Sequence, residues 1–102
     1  MVNTGGEKVY PAEVEETIRQ IEGVEDCVVL GLPDERFGQI AAALVACSDG
    51  ASLEEPDVTS ALRRATAGYK VPRVVRFVGT VPRGANGKID YQAAENMAAG
   101  HP

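Results

Sequence analysis

VEDCVVLGLPDERFGQIAAALVAC, residues 24–47, is the stretch on which the fold turns. Cys27-Val28-Val29-Leu30 is a compact run of strand-forming residues, and Gly31 and Pro33 are expected to end it. Ile40 to Cys47 is a second apolar run, and Asp34 to Gly38 reads as the connection between the two. Together they predict a hairpin-like pair of strands joined by an elaborated turn. Upstream, Pro11 suits a first helical turn, where its missing amide costs nothing. Glu13, Glu15 and Glu16 crowd that turn, where the helix dipole favours acids. Val14, Ile18 and Ile21 give one apolar face, and Gly23 is expected to stop the helix. Before it, Val2 to Val9 reads as extended on either side of Gly5-Gly6.

Downstream, Asp49-Gly50 signals a turn. Pro56 to Thr66 predicts a second helix with Val58, Ala61, Leu62 and Ala65 on its inner face, closed by Gly68. Lys70-Val71-Pro72 is an extended lead-in to a third strand, Val74 to Val78, and Pro82 to Gly87 is a polar loop. Asp90 is placed to cap a last helix reaching about Ala98. The pattern is that of an α+β fold: a small sheet of about three strands flanked by helices.

The 102 residues suit one domain. They are few for a two-substrate enzyme with a closed pocket. No run approaches the ~20 apolar residues of a transmembrane helix, and the N-terminus is not a secretory signal. Cys27 and Cys47, each inside an apolar run, read as buried thiols in a reducing compartment. The single histidine, His101, lies at the expected frayed end, so no metal cluster is available. The chain therefore reads as soluble and cytoplasmic.

Charge is unevenly placed within the net −5. Residues 1–59 hold thirteen acids and three bases, whereas residues 60–89 hold seven bases and no acid. Such a segment can focus an anionic ligand on an otherwise acidic protein, although a solvated basic face would carry the same residues. Nucleic-acid binding over the whole domain would call for a basic balance, which is missing. Within the segment, Gly84 and Gly87 frame a loop whose backbone can approach a ligand closely, and Lys88 ends it with a compact positive charge. The loop suits a phosphate but is not a Walker A motif, because Pro82 and Ile89 occupy its diagnostic positions. Gly84-Ala85-Asn86-Gly87 also fits the GxxG of KH modules. A free-standing KH-like nucleic-acid or phosphate-binding module is thus the alternative reading, against which the net charge and the preceding strand both count.

Three segments carry a more specific likeness. Gly5-Gly6-Glu7-Lys8-Val9-Tyr10-Pro11-Ala12-Glu13-Val14-Glu15 resembles the segment opening the C-terminal domain of the adenylate-forming superfamily. Gly68-Tyr69-Lys70-Val71-Pro72-Arg73 resembles that domain's GYKVPR lead-in, and Val81-Pro82-Arg83 through Gly87-Lys88-Ile89-Asp90 its closing catalytic-lysine motif. The resemblance runs over about residues 3–98, in the family's order and spacing. Gly-Glu-Lys after the first glycine and Asp90-Tyr91 after the lysine are closer to acyl-CoA synthetases of fatty or related acids than to peptide-synthetase domains.

The resemblance implies that residues 1–98 form the C-terminal lid domain of an AMP-forming acyl-CoA synthetase in fatty-acid metabolism, with a disordered tail at 99–102. It implies ATP and coenzyme A as substrates, and Mg2+ held by an absent domain. Lys88 matches the adenylation lysine, and Gly5 and Gly6 match the loop lining the pantetheine channel. Lys70 and Arg73 are further candidates for the CoA phosphates. The implied partners are the domain's own N-terminal AMP-binding domain, CoA and the acyl-adenylate, with no nucleic acid. The family's hinge residue precedes the glycine pair, and Met1-Val2-Asn3-Thr4 does not supply it, so the chain is expected to begin past the hinge and to lack ligase activity alone.

Overall fold

The structure, a computed structural model, describes residues 1–100. Its elements are β1 (Val2–Thr4), β2 (Glu7–Val9), α1 (Pro11–Arg19), β3 (Val24–Asp34), β4 (Gly38–Cys47), α2 (Glu55–Ala65), a single 3-10 turn at Gly68–Lys70, β5 (Val74–Val78) and α3 (Tyr91–Ala98). β4 is the central strand. β3 lies antiparallel along one side, and β5, parallel, and the end of β1 share the other. The three expected strands form the body of the sheet, and the glycine-broken N-terminal segment extends it as the β1–β2 hairpin.

Alternation along β3 and β4 splits the core into two layers. Val29, Ala43 and Val45 face α1 and α2, where they meet Val14, Ile18, Val58 and Leu62. Val28, Leu30, Ala42 and Leu44 face α3, where they meet Ala94 and Ala98. Four alanines within Ala41–Ala46, every residue of which is at most 3% exposed, leave little side chain on either face of β4. Helices can therefore pack closely on both sides of the sheet.

Three local expectations need correction. β3 does not end at Gly31 or Pro33 but pairs with β4 as far as Asp34, opposite Gly38. Proline is tolerated because β3 is an edge strand, so the position needs no outward amide. Two other outward amides of this edge bond to carboxylates: Cys27 donates to Asp26 at 2.9 Å and Val29 to Glu15 of α1 at 2.8 Å. The first helix stops at Arg19 rather than at Gly23, whose φ of +96° instead turns the chain into β3. On α2, Ala65 is exposed and Thr59 is buried in its place, its hydroxyl donating to the Glu55 carbonyl at 3.2 Å.

The last helix begins as expected, with the Asp90 carboxylate accepting the Ala93 amide at 3.1 Å. Ala99 and Gly100 bond back to the carbonyls of Glu95 and Met97. The remainder of the expected tail, His101 included, lies outside the described residues.

Of the two thiols, Cys27 is buried and Cys47 only half-buried. Burial pushes the Cys27 thiol up from its ordinary 9.0 to about 11. The native state keeps that proton while the unfolded chain loses it above pH 9. The stability is therefore intact below pH 9 and falls as the pH rises through 11, by about 2–3 kcal/mol. Urea unfolding at about pH 8 and about pH 10.5 checks this: the wild type should lose more stability over the interval than Cys27→Ala, and equal losses would refute it.

Candidate functional site

The residues singled out in the sequence gather at two opposite ends of the sheet. One end is built around the β1–β2 turn. Gly5 and Gly6, at φ +60° and +88°, form the two-residue connection between Thr4 and Glu7. Two successive positive φ angles are what a tight hairpin turn of this hand demands, and glycine supplies them without strain. The Gly5 amide donates to the Phe37 carbonyl at 2.9 Å, and a Cβ on Gly5 would come within 3.2 Å of the Phe37 ring. A Cβ on Gly6 would meet nothing within 4 Å, so this glycine presents bare backbone to open space.

Phe37 is the organising residue of this end. The Asp34 carboxylate accepts the amides of Arg36 and Phe37 at 3.0 and 2.9 Å, which shapes the β3–β4 turn. The guanidinium of Arg73 stacks 4.3 Å from the Phe37 ring centre and that of Arg36 lies at 5.1 Å. Stacking leaves the edge donors of a guanidinium free for an anion. Beside Arg73 a groove of about 370 Å³ opens between α2 and the Gly68–Arg73 segment, with Arg63, Glu55 and Tyr69 on its walls.

Lys70, grouped in the sequence with Arg73, is not in that groove. Its ammonium bonds to the Glu13 carboxylate of α1 at 3.1 Å, and that bond raises its pKa above the ordinary 10.5. Arg63, carried by α2, joins Arg73 instead. The sequence placed Arg63 only within the basic segment, and the helical phase that points it at the groove was the signal available.

The other end carries the lysine loop. Arg83 and Ile89 form an antiparallel bridge, and the intervening residues close a tight turn. The Gly84 amide donates to the Lys88 carbonyl at 2.8 Å, and the Gly87 amide to the Gly84 carbonyl at 3.0 Å. The Lys88 amide donates to the Asn86 side chain at 3.0 Å. Gly87 has a φ of +81°, whereas Gly84 has no positive φ. With these amides engaged inside the loop, what it presents outward is the exposed Lys88 side chain, which has no ion-pair partner among the described residues. Because the tetrad closes a strand-like bridge rather than joining two helices, the KH-like reading is not supported.

The two ends are held by opposite ends of β3. Arg83 pairs with Asp26 at its start, while Gly5 is tied to Phe37, just past its last residue, Asp34. From Asp26 to Asp34 β3 runs eight residue steps, roughly 26 Å. Among the described residues no helix is long and apolar enough to cross a membrane, and no three His, Cys, Asp or Glu side chains are grouped to hold a metal.

Comparison with known proteins agrees with this architecture. The family model for the AMP-binding enzyme C-terminal domain matches residues 13–88. The 3-oxocholest-4-en-26-oate--CoA ligase of Rhodococcus rhodochrous is 45% identical over 101 residues, 99% of this chain and 18% of that protein. Feruloyl-CoA synthase of an Amycolatopsis species is 43% identical over 89 residues, covering 87% of this chain and 18% of that protein. Among solved structures, a Mycobacterium tuberculosis fatty acyl CoA synthetase superposes with a TM-score of 0.89 at 38% identity, over 100% of this chain and 20% of that one. ATP-bound MatB from Rhodopseudomonas palustris superposes with a TM-score of 0.90 at 34% identity, over 95% and 19% respectively. The chain thus spans about a fifth of the length of the relatives it matches. On the family match and these relatives, the chain belongs to the AMP-binding enzyme C-terminal domain family.

Proposed function

We propose that this chain is the mobile C-terminal domain of an ATP-dependent, AMP-forming acyl-CoA ligase, and that it serves two successive half-reactions with its two ends. What supports this reading is that the lysine loop is tied near the start of β3 and the glycine turn just past its end, a strand length of roughly 26 Å apart. Groups so far apart on one rigid sheet cannot both enter one active site in a single pose. A domain that presents first one end and then the other can use both.

In the first half-reaction a carboxylate oxygen attacks the α-phosphorus of ATP and pyrophosphate leaves. Negative charge grows on the phosphoryl oxygens, and the ammonium of Lys88, which has no ion-pair partner among the described residues, stabilises it. In the second, the CoA sulfur attacks the acyl carbonyl of the adenylate and AMP leaves. Gly6, with open space around it, lets the pantetheine arm pass where a side chain would obstruct. Arg63 and Arg73 in the adjoining groove meet the CoA phosphates, while Lys70 holds α1 to the lead-in segment through Glu13. The loop glycines Gly84 and Gly87 shape the turn beneath Lys88.

The partner is an N-terminal AMP-binding domain, to which any Mg2+ accompanying ATP is assigned. Acids related to fatty acids are the substrate class, as the name of the Mycobacterium tuberculosis fatty acyl CoA synthetase suggests, and the cytoplasm is the compartment that suits two free thiols. The test is a ligase in which this chain replaces the C-terminal domain of the Rhodococcus rhodochrous relative. It should release AMP and form acyl-CoA from that relative's acid, whereas the 102 residues alone should form none. An inactive hybrid whose two domains are both folded, or acyl-CoA formation by the chain alone, would overturn the proposal.

A further inference from the structure

The lysine loop is not held only by its own backbone. Arg83, at its root, grips the Asp26 carboxylate with the Nε–Nη2 edge of its guanidinium: Nη2 donates to Oδ1 at 3.0 Å and Oδ2 at 3.1 Å, and Nε donates to Oδ2 at 3.2 Å. Its remaining nitrogen, Nη1, donates to the Gly87 carbonyl at 2.8 Å. That carbonyl belongs to the peptide that leads into Lys88. One planar group thus ties the residue before the lysine to a strand in the body of the sheet.

Asp26 is itself fixed. It stands at the irregularity where β3 shifts register between Val24 and Asp26, and its Oδ1 also accepts the Cys27 amide at 2.9 Å. The pair is partly shielded, at 39% and 29% side-chain exposure, which retains more of its strength than an open surface pair would. A bidentate guanidinium–carboxylate contact sets orientation as well as distance.

We propose that Asp26 and Arg83 are a positioning pair that aims Lys88, so that the register irregularity at the start of β3 is part of the adenylation machinery. This rests on the adenylation role proposed for Lys88. The pair touches no reacting atom; it acts by restricting the Gly87–Lys88 peptide. All of its contacts lie within this domain, so the aim is kept whatever pose the domain takes against its partner.

The test uses the hybrid ligase described above and measures the two half-reactions separately. Asp26→Asn keeps the side chain's size and its acceptor for the Cys27 amide but weakens the fork. It should slow pyrophosphate release by about tenfold or more, with thioester formation from supplied acyl-adenylate unchanged. Arg83→Gln should do the same, and the double variant should be no slower than either single one, because each removes the same contact. Unchanged adenylation in Asp26→Asn, equal losses in both half-reactions, or losses that add in the double variant would overturn the pairing. Lys88→Ala run in parallel separates the two ideas. If it leaves adenylation intact the lysine assignment fails, whereas a large loss there beside unaffected Asp26 and Arg83 variants defeats the positioning pair alone.

Discussion

Replacing Lys88 with alanine is expected to lower acyl-adenylate formation by about 10²–10³ while leaving thioester formation from supplied acyl-adenylate within about twofold. The size follows from the role proposed for the side chain. In a water-excluded site a positioned cation is worth far more to a developing anion than it is in water, and its removal leaves the transition state uncompensated. Fold damage is not a competing explanation, because the Lys88 side chain is exposed and makes no hydrogen bond or ion pair among the described residues. Pyrophosphate release and consumption of synthetic acyl-adenylate, measured on the same hybrid preparation, decide it. Equal loss in both would remove Lys88 from the adenylation role.

The mirror-image result is expected at the opposite end of the sheet. Gly6→Leu should leave adenylation near normal and slow thioester formation by about 10²-fold, because on the role proposed for this turn a side chain there would obstruct the approach of the CoA arm. Within the domain the new side chain meets no atom within 4 Å of its Cβ, so packing survives. What remains is backbone strain at φ +88°, of order 1–2 kcal/mol. Gly6→Ala carries that strain with far less bulk and so separates the two causes. A loss in Gly6→Ala as large as in Gly6→Leu would assign the effect to the turn and not to obstruction. Adenylation lost together with thioester formation would dissolve the division of labour between the two ends.

Much of this was legible along the chain because local chemistry encodes it. Pro11 opens α1, Asp90 caps α3, and the two apolar runs pair as strands. Gly5-Gly6 needed only its neighbours to be read as a break between extended segments, and the three motif segments were recognisable by order and spacing. Reading failed where a residue's setting is decided by something distant. Pro33 reads as a stop until β3 is known to be an edge. Ala65 fits the apolar face of α2 by period, but only docking against the sheet selects Thr59 instead.

Lys70 and Arg73 sit three residues apart and read as one basic group, yet the structure sends Lys70 to Glu13 and Arg73 to Phe37. The sequence by itself determined the elements, the glycine turn and the presence of a lysine loop, since each depends on backbone preferences acting over a few residues. Only the tertiary structure decided that the turn and the loop occupy opposite ends of one sheet, and that Asp26 holds Arg83 across 57 positions. Such pairings are set by strand register and helix packing, and these depend on the whole core closing at once.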